Sequence, residues 1–137
     1  MGGPVCYMEV DAEAVRYHSR RLAEATLALM RTRLKLRQPV NLRWFTQAHG
    51  VRQPGQVRFW ADRPIGGCVH RDYPGVIWLR ADLRDSDQLI EMVSHEARHI
   101  WQGEQHGDLF RDDDQHQAWQ ECDAENFAGA TVARFAE

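Results

Sequence analysis

Lysine is almost missing from this sequence: Lys35 is the only one, and the rest of the basic charge is arginine. That bias assigns no function by itself. Cysteine is scarce as well, and Cys6, Cys68 and Cys122 are widely spaced with no CxxC pair. This excludes a disulfide framework and a thiolate zinc site, and leaves buried free thiols as the expectation. No stretch approaches the roughly 18 apolar residues of a membrane span. Met1 to Val10 lack a basic segment leading into an apolar one, so a cytoplasmic protein with no membrane contact is expected. Nor is there an excess of positive charge: 17 Lys and Arg stand against 20 Asp and Glu, a net charge of -3. That balance argues against a dedicated nucleic-acid binder, which needs a concentrated basic surface. Internal repeats and low-complexity stretches are lacking, and the one charge run is Asp112-Asp113-Asp114.

What is present is the composition of an ordinary globular protein, 43% hydrophobic and 27% charged, with 137 residues to form one domain over 1–137. Asp11 is a natural N-cap. After it Val15, Leu22, Leu29 and Leu36 recur every seven residues, with Ala25 and Leu34 filling the stripe, which predicts a long first helix ending before Pro39. Its other face carries Arg16, Arg20, Arg21, Arg31, Arg33, Lys35 and Arg37 and is expected to be solvated.

From Pro39 to Leu83 the period changes. Val40 to Trp44, Val57 to Trp60 and Val76 to Arg80 suit a pleated surface, with a short extra strand at Cys68 to His70. Turn signals at His49-Gly50, Pro54-Gly55, Pro64 to Gly67 and Pro74-Gly75 separate them and predict a meander. Helical spacing returns at Ser86 or Asp87, with Leu89, Val93, Ala97 and Ile100 on one face, and ends near Gly103; a last helix covers about 115–135. The fold class expected is α+β: a long N-terminal helix, a small, mostly antiparallel sheet, and two C-terminal helices.

The first of those two helices contains His95-Glu96-Ala97-Arg98-His99, an HExxH motif. Residues four apart lie one above the other on a helix, so both imidazoles can reach one ion. Glu96 projects beside them, where it can take a proton from a metal-bound water. On the helical wheel the two histidines fall away from the apolar stripe, toward a cleft. A catalytic zinc normally needs a third protein ligand.

The last helix offers Glu121-Cys122-Asp123-Ala124-Glu125-Asn126-Phe127-Ala128. With HExxH ahead of it, this segment resembles the gluzincins, zincin metallopeptidases whose second helix bears a Glu ligand in an ExxA pattern. Glu121 matches the ligand and Ala124 the small residue. Glu125 falls where several such families place an acid that orients a ligating histidine. Glu121, Ala124 and Phe127-Ala128 are also similar to the Glu-bearing helix of ImmA/IrrE-type metallopeptidases, which usually carry Asn directly after the alanine, where this chain has Glu125 followed by Asn126. The resemblance implies one Zn2+ per chain on His95, His99 and Glu121, with a protein or peptide as substrate. It also implies extended substrate near the edge formed by Val76 to Arg80.

Helical geometry places Glu121, Ala124, Glu125, Ala128, Val132 and Phe135 on one face and turns Asp123 elsewhere. Glu125 is the alternative third ligand, and His106 another, although Gly103 and His106 each stand one residue too far along for a metzincin. His18, His49, His70 and His116 have no partner spacing. On this reading Glu96 is the general base of peptide hydrolysis, and His106, Tyr73 and Arg98 are candidate donors to the oxyanion. Two other classes are a nonproteolytic, zinc-containing regulatory or DNA-associated protein using the Arg-rich helix, and a metal-free interaction module.

Overall fold

The computed structural model describes residues 5–48, 56–61, 64–70, 73–106 and 114–135, apart from the side chains of 114–117. His49-Gly50 and Pro54-Gly55 lie outside the described residues. The elements run β1 (Val5–Val10), a 3₁₀ turn (Ala12–Ala14), α1 (Tyr17–Leu34), β2 (Asn41–Gln47), β3 (Arg58–Ala61), β4 (Gly67–Cys68), β5 (Val76–Arg80), α2 (Ser86–His106) and α3 (Asp114–Phe135). This is the α+β class the sequence predicts.

The strand order is β3-β1-β2-β5-β4. Three of the four pairings are antiparallel, and β2 runs parallel to β5, from Asn41↔Val76 to Phe45↔Arg80. The expected meander is therefore replaced by a mixed sheet. The cause is β1, a strand the periodicity does not announce, which inserts between β2 and β3 and pairs with both. Nor is β5 the edge: β4 lies outside it, with Gly67 opposite Leu79 and Cys68 opposite Trp78.

Successive strand residues point to opposite faces, and here both faces are apolar. On one, Trp44, Ile77 and Leu79 join Leu27, Met30 and Leu34 of α1 and Leu89, Val93, Ala97 and Ile100 of α2 in the main core. On the other, Tyr7, Phe45, Phe59 and Trp78 form an aromatic cluster, with Tyr7 and Phe45 edge to face at 4.7 Å between centroids.

Helix α1 starts later than Asp11 allows, because the chain makes a 3₁₀ turn first and Arg16 occupies the N-cap position. Its buried face is Ser19, Ala23, Thr26, Leu27, Met30 and Leu34. Leu29 of the seven-residue row is 44% exposed, and Ala25 is exposed. A strict heptad drifts around a 3.6-residue helix, so the contact surface follows four- and three-residue steps instead. Lys35 closes the helix in the left-handed region (φ 52°), and the Leu36 N–H returns to the Arg31 carbonyl.

Helix α2 is capped by Asp85, whose carboxylate accepts from the Gln88 N–H at 3.0 Å. It runs past Gly103 to His106, because Glu104 accepts from the backbone N–H groups of Arg37 and Gln38 at 2.8 and 3.2 Å and ties the last turn to the exit of α1. Helix α3 packs against α2. Its inward face carries Gln120, Ala124, Ala128 and Thr131, all buried, whereas Glu125 is exposed and Phe135 is 45% exposed. The helix is thus rotated from the face the sequence assigns, and Asp123 turns toward α2. Cys122 is exposed and Cys6 and Cys68 are half-buried, so the three thiols are free but not fully buried. Among the described residues no helix is long and apolar enough to cross a membrane.

Candidate metal centre

The site is built where α3 crosses α2 on the side away from the main core. Four-residue spacing on α2 stacks the two imidazoles, with His95 Nε2 3.1 Å from His99 Nε2. Helix α3 then brings Glu121 against both: Oε2 is 3.2 Å from His95 Nε2 and Oε1 is 2.9 Å from His99 Nε2. Three basic atoms so close repel one another unless a cation or protons lie between them. Ligand atoms bonded to tetrahedral zinc at 2.0–2.1 Å stand about 3.3 Å apart, near the triangle found here. The donor set, two imidazoles and a carboxylate, is also one that zinc takes in catalytic sites.

Glu96 belongs to the same cluster, since His95, Glu96 and His99 offer ligand atoms within 4.8 Å of one another. It stands back from the triangle, with Oε1 3.9 Å from His95 Nε2, and accepts a hydrogen bond from the Val69 backbone beyond β4. Glu121 is therefore the nearer partner of the imidazoles, and Glu96 the carboxylate beside them. Burial pushes the Glu96 carboxyl above its ordinary value, against the opposing pull of His99 and His95. Glu121 is held well below the carboxylate range by its hydrogen bonds to His95 and His99. Burial pulls His99 down, but its bond to Glu121, the charge of Glu96 and its bond to Gln102 together lift it above the usual imidazole value. Cys68 is pushed up to about 12 by burial and then by Glu96, so it is a neutral thiol near that carboxylate.

The other sequence candidates are elsewhere. Glu125 is on the exposed side of α3. His106, the last residue of α2, stacks edge-on against Trp101 and Trp119 at 6.0 and 5.3 Å between ring centroids. It stands two turns, about 10 Å, beyond His99. Arg98 is committed to Asp123 and lies 3.8 Å over the Trp101 ring, so it is not a free oxyanion donor. Tyr73 packs on His70 and Trp78. His49 is outside the described residues.

Two residues at the site are not singled out by motif reading. Gln102 is fully buried, its Oε1 2.8 Å from His99 Nδ1. Its Nε2 donates to the Gln120 carbonyl and to Asp123 Oδ2, both at 2.9 Å. Its three-residue spacing from His99 on one helix is a signal the sequence does carry. Asp123, which the helical wheel turns away, in fact accepts from Gln102 and from Arg98, whose hydrogen bonds hold its carboxyl below the ordinary range.

His95, Glu96 and His99 on one helix, with Glu121 on the next, form a cluster consistent with a zincin-like metal-binding fold. Compared with known protein families, curated proteins and solved structures, the chain matches none.

Proposed function

We propose that the chain is a zinc-dependent metallopeptidase of the gluzincin type, with one zinc held by His95, His99 and Glu121. The observation that supports this reading is the convergence of two imidazole nitrogens and one carboxylate at 2.9–3.2 Å, with a buried Glu96 3.9 Å from His95. When bound there, zinc supplies Lewis acidity and brings a water's pKa toward 7.

Glu96 accepts the proton of the attacking water and returns it to the leaving amine. Its low polarity surroundings and raised pKa suit a group that must both take and give a proton near neutrality. The Val69 N–H holds the Glu96 carboxylate beside the triangle of His95, His99 and Glu121, the residues that would hold the zinc. Gluzincin chemistry acts on peptide bonds, so the substrate class proposed is a protein or peptide. The similarity to ImmA/IrrE-type enzymes extends to the ExxA segment.

The test is elemental analysis of the purified protein beside its His99→Ala and Glu121→Ala variants, followed by cleavage of an unstructured protein such as casein. One zinc per chain, lost in both variants together with hydrolysis, is the expected result. Wild-type protein that takes up no zinc after reconstitution overturns the reading. Zinc binding without hydrolysis favours the nonproteolytic alternative.

A further inference from the structure

The amide of Gln102 has no freedom of orientation. Its two neighbours on α3, the Gln120 carbonyl and the Asp123 carboxylate, can only accept hydrogen bonds. Nε2 must therefore face them, and Oε1 is left facing His99 Nδ1 at 2.8 Å. An amide oxygen also only accepts, so Nδ1 must carry a proton. The Glu121 carboxylate, 2.9 Å from Nε2, competes for the single proton of the neutral ring, but it is about half exposed and can turn toward solvent. The buried amide cannot turn, and the neutral ring keeps its proton on Nδ1. That leaves the Nε2 lone pair directed at His95 and Glu121, the form a metal ligand requires.

The same side chain reaches across to α3 on either side of Glu121, at Gln120 and at Asp123. Asp123 is in turn clamped by Arg98 of α2 at 2.7 and 3.1 Å. Glu121 itself is about half exposed, so burial alone does not hold it in place.

We infer that Gln102 is the positioning residue of the centre: it locks the His99 tautomer and, through Gln120 and Asp123, registers the helix that carries Glu121. This rests on the metallopeptidase reading only for the identity of the ligand set. The tautomer follows from the fixed orientation of the Gln102 amide.

Two measurements test it. Two-bond ¹⁵N–¹H correlation spectra of the metal-free wild type, taken at a pH where His99 is neutral, should show the proton on Nδ1. The more common Nε2–H form there overturns the inference. Zinc affinity by chelator competition should fall roughly 10- to 100-fold in Gln102→Met, which fills the space without hydrogen bonds. Gln105→Met, on the exposed side of the last turn, should bind as wild type. Gln102→Glu keeps an acceptor for His99 but loses the donors to α3, so it should retain the Nδ1–H tautomer and still bind zinc more weakly. Gln102→Met binding zinc within about twofold of wild type also overturns the inference. If Gln102→Met does not fold, the wild-type spectrum still decides. If wild type binds no zinc, the metallopeptidase reading falls, and the spectrum judges Gln102 independently.

Discussion

Arg98 and Asp123 face each other across the α2–α3 contact as a two-point ion pair, Nε to Oδ2 at 2.7 Å and Nη2 to Oδ1 at 3.1 Å. Both side chains are mostly shielded, with 20% and 24% of their surface exposed. The guanidinium is also packed between the rings of Trp101 and Phe127, at 3.8 and 4.9 Å from their centroids. Planar stacking and a bidentate fork are properties of arginine that lysine does not share.

The pair makes the docking of α3 sensitive to acid. Asp123 has a folded-state pKa below its unfolded value, so its contribution is fully present above the unfolded value, near 3.9. It is lost as the pH falls through the folded value. Asp123→Asn should therefore lower unfolding free energy by about 2 kcal/mol at neutral pH. Urea titrations should show the gap to wild type closing below about pH 4. A gap that stays constant into strong acid means that the charge of Asp123 is not what matters.

Glu96 carries the opposite sign. Its folded pKa is raised, chiefly by burial, so in the metal-free protein its ionisation opposes folding as the pH rises above the ordinary Glu range. Glu96→Gln removes that penalty without touching His95, His99 or Glu121. The variant should retain one zinc, unfold at a higher temperature than wild type when both are metal-free at pH 7, and lose hydrolysis by roughly 10²- to 10⁴-fold. A Gln variant that hydrolyses peptide at the wild-type rate eliminates Glu96 as the base.

The parts of this site that sequence alone makes legible are those set by spacing within one helix. His95, Glu96 and His99 are contiguous enough that four-residue stacking fixes their relation, and the core stripe Leu89, Val93, Ala97 and Ile100 is found where the period places it. What the period leaves open is the rotation of α3. At 100° per residue, a modest turn of the helix exchanges Glu125 for Asp123 on the inward side, and it is the burial of Gln120, Ala124 and Ala128 that selects the observed rotation. The interior strand β1 is hidden for a different reason. Its position depends on partners some 40 and 50 residues away, such as Tyr7 with Gln47 and with Phe59, and local pattern holds no information about pairing at that distance.

Gly67 connects the sheet to Glu96. A Cβ there would stand 2.6 Å from Met92 Cγ and 2.9 Å from the Trp78 carbonyl oxygen. The methionine can move, but the carbonyl belongs to β5, which is held between β2 and β4. Gly67→Ala should therefore push β4 outward and carry the Val69 N–H away from Glu96. The expected signature is a stability loss of about 1–3 kcal/mol, a fall in hydrolysis and an unchanged zinc affinity, because β4 supplies none of the proposed ligands. Loss of zinc in this variant instead means that β4 supports the proposed ligand set and not Glu96 alone.

Ala124 tests how closely α3 must approach α2. It is completely buried and lies one turn beyond Glu121, on the face that packs against the HExxH helix. A leucine there adds three carbon atoms at a fully buried contact and pushes the helices apart, at about 1–3 kcal/mol of stability. A shift of even a few tenths of an ångström lengthens the Glu121 contacts of 2.9 and 3.2 Å while leaving the two histidines on their common helix unaffected. Ala124→Leu should thus weaken zinc binding more than its loss of stability accounts for, whereas Ala130→Leu, on the exposed side of α3, should leave both unchanged. Chelator competition and urea titration on the two variants separate these effects. Equal zinc affinity in Ala124→Leu and wild type implies that the histidine pair binds the metal without a fixed contribution from α3.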